Sequence, residues 1–135
     1  MTIQFSTDIR NATLDVVEST IGTSPIMRIR TGSVPATPAT ADAGTVLATL
    51  TLPSDWMAAA SGGTKVIAGT WQDTSADASG TAAHFRFYDS GGTVCKALGT
   101  VTATGGGGDM TVDNVVFASG QAFTVVTFTL TAGNA

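Results

Sequence analysis

Apolar positions repeat at two intervals along this chain, and the change falls near Pro25. Upstream, Ile9, Ala12 and Val16 stand at i, i+3 and i+7, and Leu14, Val17 and Ile21 repeat the spacing, which is that of a helical face. Ser6 or Thr7 offers a hydroxyl to the first free N–H groups, Asp8 suits the positive end of the dipole, and Gly22 supplies a stop. These signals predict a helix over about 7–20. Two apolar stripes predict burial on more than one side, against the chain's own sheet or a neighbouring subunit.

Downstream the period is two. Met27 and Ile29 alternate with Arg28 and Arg30, a half-exposed strand. The segment TGSVPATPATADAG (31–44) has no period and reads as an extended loop or arm, a length that is often functional. In TVLATLTL, Val46, Ala48, Leu50 and Leu52 share a face; SDWMAAASGG then reads as about one helical turn, capped by Ser54 and stopped at Gly62-Gly63. TKVIAGTW, TAAHFRFYD, TVCKALGTVTAT, TVDNVVF and AFTVVTFTL read as further strands, the second and third joined as a hairpin through Ser90-Gly91-Gly92. The predicted fold is mainly β: a single domain over 1–135, with a helical segment (1–22) followed by an antiparallel β-sandwich (23–135) of about seven strands, jelly-roll or immunoglobulin-like.

Composition narrows the function classes. Hydrophobic residues make up 43% of the 135, enough for a core, while charged residues make up only 12%, about half the usual share. A surface rich in threonine, alanine and glycine resists association weakly, which favours a protein partly covered by partners. The formal charge is −4 with six scattered basic residues, so nucleic acid is not an expected partner. MTIQFSTDIR lacks the pattern of a signal peptide, and no apolar run is long enough to span a membrane. The lone Cys95 excludes an intrachain disulfide and fits synthesis in a reducing cytosol.

Candidate chemistry is sparse. In TATGGGGDMTVDN (102–114), Asp109 and Met110 follow the glycines where a phosphate loop needs lysine and a hydroxyl, so the glycines read as a turn. His84 alternates with Phe85 and Phe87, which puts it on the outward face with Arg86 and Tyr88, and no residue is nominated as its catalytic partner. Cys95 reads as a small core residue facing Phe85 or Phe87. The acidic loops DTSAD (73–77) and DMTVD (109–113) lack calcium-loop spacing. The expectation is no catalytic residue, no metal and no cofactor. Trp71, with Trp56 and Tyr88, is the candidate aromatic platform for a sugar.

IGTSPIMRIRTG, LATLTLPSDWMAAA, GTWQD, FRFYDSGGTVC, GTVTATGGGGDMTVDN and FTLTAGNA resemble a group of small structural proteins of tailed bacteriophages and prophages, in order along nearly the whole chain. Phe87 stands where the resemblance suggests an aliphatic residue. The resemblance implies a non-enzymatic virion component made in the host cytoplasm. The leading expectation is a capsid decoration protein, a homotrimer bound to a phage capsid protein. Its contacts would come from the helix (Ile9, Leu14, Val17, Ile21) and the arm (Val34, Pro35, Pro38). The alternatives are a tail, neck or head-fibre component, or a carbohydrate-binding module for host adsorption.

Overall fold

The computed structural model describes residues 3–133. One helix, α1 (Thr7–Ile21), precedes eleven strands: β1 (Ile26–Arg30), β2 (Val46–Thr51), β3 (Thr64–Val66), β4 (Trp71–Asp73), β5 (Gly80–Thr81), β6 (His84–Tyr88), β7 (Cys95–Ala103), β8 (Met110–Val112), β9 (Val116–Phe117), β10 (Phe123–Val125) and β11 (Thr129–Thr131). Five of them form the main sheet in the order β2-β1-β6-β7-β8, and the rest pair as ribbons β10-β4, β11-β3 and β5-β9. The mainly β class with one N-terminal helix is as predicted. The strands are more numerous and shorter than the expected seven, and the second layer consists of ribbons.

The helix ends where Gly22, at φ +97°, turns the chain and donates its N–H to Glu18 O. Ser6 occupies the N-cap in extended conformation, but its side chain makes no capping hydrogen bond to the backbone. Leu14 and Ile21 are buried and Val17 packs on the core, so this stripe belongs to the chain's own body. Ile9 and Val16 remain exposed, at 50% and 58%.

The core gathers around aromatic rings. Phe85 and Phe87 project from β6, and Trp56, Trp71 and Phe128 close on them with centroid separations of 5.4–5.9 Å. Phe87 thus fits the site as a ring packed among rings. Trp56 does not belong to a helical turn. Residues 54–63 run irregularly, with a bridge from Met57 to Ile67 and a hydrogen bond from Trp56 Nε1 to Gly22 O at 3.0 Å. Burying both tryptophans outweighs the weak preference of three alanines for helix.

β2 carries a bulge opposite Ile29/Arg30, so Leu47 and Ala48 are both buried and the simple alternation from Val46 is broken. β2 is an outer strand of the main sheet, and the chain from β4 onward covers its open side. Asp77 N–H donates to Leu47 O at 2.8 Å, and Asp73 Oδ2 accepts from Thr49 N–H at 2.9 Å.

At the opposite end the sheet is not wholly antiparallel. β8 pairs parallel to β7, with Val101 opposite Met110 and Ala103 opposite Val112. Six intervening residues must reverse the chain and bring it back alongside, far fewer than a parallel crossover ordinarily needs. The four glycines make that return possible. Gly105 and Gly107 have φ of +89° and +79°, while a Cβ at Gly106 or Gly108 would lie 2.7 or 2.9 Å from the Thr102 side chain. Gly108 N–H donates to Thr102 Oγ1 at 2.9 Å. The glycines form a turn, and a tightly packed one.

Candidate functional site

β6 is buried at all five positions because both of its faces are covered. Phe85 and Phe87 enter the aromatic core. His84, Arg86 and Tyr88 point the other way, as predicted, and join Arg28 and Arg30 of the adjacent β1. Apart from Arg28, which is half-buried, this face does not meet solvent. Segment 31–44 folds across it, leaving Arg30 at 7%, Arg86 at 1% and His84 at 0% exposure.

A guanidinium cannot enter an interior without partners, and the arm supplies them from its backbone and its one carboxylate. Arg86 Nη2 donates to Pro38 O at 2.8 Å and Thr40 O at 2.9 Å. Asp42 Oδ2 lies 2.9 Å from Arg30 Nη2, and its Oδ1 lies 3.0 Å from Arg86 Nη1 and accepts from Tyr88 Oη at 2.7 Å. His84 Nδ1 donates to Gly32 O at 2.8 Å, which fixes the ring with its proton on that nitrogen when neutral. Arg28 Cζ stands 4.6 Å above the Tyr88 ring centre. Burial works against the Arg86 charge, but Cys95, Tyr88 and Asp42 outweigh it and hold its pKa above the ordinary value. For Tyr88, burial and then the bond to Asp42 push the phenol up.

Cys95 also departs from expectation. Its Sγ accepts from Arg86 Nε at 3.2 Å, so it lies on the arm side of the sheet and not against Phe85 or Phe87. With Arg86, Tyr88, Thr93 and the arm residues Pro38 to Asp42 it lines a recess of about 260 Å³.

The aromatic platform does not form at the residues nominated for it. Trp56, Trp71 and Tyr88 are at most 2% exposed; Trp71 Nε1 is committed to Trp56 O at 3.0 Å, and Tyr88 is roofed by Arg28 and the arm. The acidic loops are likewise committed to structure: Asp73 and Asp77 bond to Thr49, and Asp109 Oδ2 accepts from the N–H and hydroxyl of Thr100. Among the described residues no group of three or more His, Cys, Asp or Glu side chains is placed to hold a metal.

The nominated contact residues divide. On α1, Leu14, Val17 and Ile21 turn inward, while Ile9 is exposed beside Val16. On the arm, Val34 and Pro35 are half-buried and Pro38 is exposed. The inward side of α1 is held by a second polar cluster, in which Lys65 Nζ of β3 contacts Asp15 at 2.6 Å and Glu18 at 2.7 Å. Comparison with known protein families, with characterised proteins and with solved structures finds no match.

Proposed function

We propose that this chain is a non-enzymatic structural protein of a tailed-phage particle, a decoration protein that binds the outside of the head as a homotrimer. The observation that carries the reading is the division of α1. One stripe and a buried lysine lock the helix onto the β body, so the opposite stripe is presented rigidly, with Ile9 and Val16 exposed. Apolar area held in place this way contributes about 25 cal/mol per Å² when a partner covers it, with no ordering of the helix left to offset. Sparse surface charge and the resemblance of the sequence segments support the same reading. Pro38, exposed on the arm, is the second contact.

Antibody labelling of intact particles, viewed by electron microscopy, tests it. Dense label over the head is the expected result; label confined to the tail or neck, or no label at all, would overturn it. Sedimentation of the purified chain tests the assembly state, with a trimer expected for the parent and a monomer for Ile9→Asp/Val16→Asp.

A further inference from the structure

An open seam separates the edge of the main sheet from the chain between Gln121 and Thr131. Three recesses lie along it in series, of about 400, 210 and 270 Å³. The first two share Thr111 and Thr127, and the second and third share Asp109, Phe128 and Thr129. The third is floored by Trp56, Phe85 and Phe87, all buried rings of the core. The phase of the hydrogen bonds shows what the walls present. Val101 N–H donates to Ala83 O at 2.9 Å, so Leu98 and Thr100 of β7 turn their N–H and C=O away from β6. Thr104 N–H donates to Val112 O at 3.0 Å, so Thr111 of β8 turns away from β7. Across the seam, Ala132 N–H donates to Gly63 O at 2.9 Å, so Thr129 and Thr131 turn away from β3. Thr100 N–H is taken by Asp109 Oδ2. The N–H groups of Leu98, Thr111, Thr129 and Thr131 have no hydrogen-bond partner among the described residues.

We infer that this seam is an acceptor groove for one extended segment of another protein, held as an added strand with a bulky apolar side chain in the third recess. Unpaired strand edges offer donors and acceptors at the spacing of a main chain, and the recess among the rings supplies the anchor. Charge sets the rest of the class. Asp109 and Asp113 are the only charged residues lining the three recesses, so the segment that fits is basic. A second copy of this chain has no such segment to lend. Arg30, Lys65 and Arg86 are buried, Arg10 and Arg28 donate to Ala132 O and Gly92 O, and Lys96 lies within β7 itself. The groove is separate from the outer stripe of α1, and the inference does not rest on a place in a particle.

The probe is a capped octapeptide with threonine and lysine on one face and valine and a single phenylalanine on the other. Trp56 lines the third recess and the peptide has no tryptophan, so protein fluorescence reports occupancy. Binding is expected with a Kd below about 1 mM, together with slowed hydrogen exchange at the Leu98 and Thr111 amides. N-methylation of every second peptide residue, in one phase or the other, is expected to weaken binding about tenfold while leaving the protein untouched. Ala97→Leu, which fills the recess from the half-buried wall of β7, is expected to weaken binding by a similar factor with the circular dichroism of the parent. No change up to about 1 mM peptide, equal binding of both N-methylated peptides, or equal binding when glutamate replaces lysine would overturn the proposal. Protection of the two amides that grows with protein concentration alone would also overturn it, by giving the groove to a second copy.

Discussion

Lys65 Nζ on β3 lies 2.6 Å from Asp15 Oδ1 and 2.7 Å from Glu18 Oε2 on α1, and the lysine side chain is only 1% exposed. The helix is therefore fastened to β3 by charge, in addition to the apolar stripe of Leu14, Val17 and Ile21. Removing the carboxylates strands a buried ammonium, whereas removing the lysine strands only groups that reach water. Asp15→Asn/Glu18→Gln should lower the urea midpoint more than Lys65→Met does. Equal midpoints would show the pair to be ornamental.

The same contact sets an acid limit. The hydrogen bond from Lys65, then that from Ala60 N–H, holds the Asp15 carboxyl below its ordinary 3.8. A depressed carboxyl stabilises the fold above its unfolded pKa, and the contribution is lost as pH falls through the lower folded value. For Lys65, burial pulls downward, but Asp15 and Glu18 together outweigh it, so its share is lost only on the alkaline side, above 10.5. Between neutrality and pH 3, the parent should lose more stability than Lys65→Met, as read from urea titrations at each pH.

Asp42 is the one carboxylate among arm residues 31–44, and it serves Arg30, Arg86 and Tyr88 together. Asp42→Asn should cost about 2 kcal/mol, below the range for a fully buried pair because this carboxylate is partly hydrated. Deleting 31–44 should unfold the protein, because it strips the buried Arg30 and Arg86 of their carboxylate and carbonyl partners. Circular dichroism of the deletion checks this directly.

Tyr88, the only tyrosine, gives an optical reading of the same network. Its raised pKa means that stability present below the unfolded value near 10.0 is lost as pH rises through the folded one. Absorbance titration should show ionisation above 10.0, coinciding with alkaline unfolding. Ionisation at the ordinary value in folded protein would contradict the packing of arm on sheet.

Gly108→Ala should destabilise by about 1–3 kcal/mol, because its methyl would enter the space of the Thr102 side chain. Thr102→Ala removes most of that obstruction, so the double variant should be less destabilised than the sum of the singles. Strict additivity in chemical denaturation would place the strain elsewhere.

Local periodicity carried the helix, the β6–β7 hairpin and the inward face of β6, because those depend on neighbours a few residues away. It misjudged the other face. Arg30, His84 and Arg86 alternate as solvent-facing residues do, and nothing local tells that a loop will roof them with its carbonyls. Asp42 is a signal only in hindsight, as one carboxylate in a segment otherwise without charge. The tryptophans failed for the related reason that a strand end beside a polar loop looks exposed until Phe87 and Phe128 arrive from distant parts of the chain. The parallel β7–β8 pair was hidden because four glycines announce a turn without announcing its direction.

The covered side of β2 bears on life at high concentration. An outer strand with open N–H and C=O groups is a template on which a second chain can grow as another strand. Here the Leu47 carbonyl and the Thr49 amide are already taken by Asp77 and Asp73, and Thr49 Oγ1 donates to Asp77 Oδ2 at 2.7 Å. A loop whose acidic residues invite a search for calcium serves instead as a stopper against fibre growth, so crowded copies can touch without polymerising through that edge.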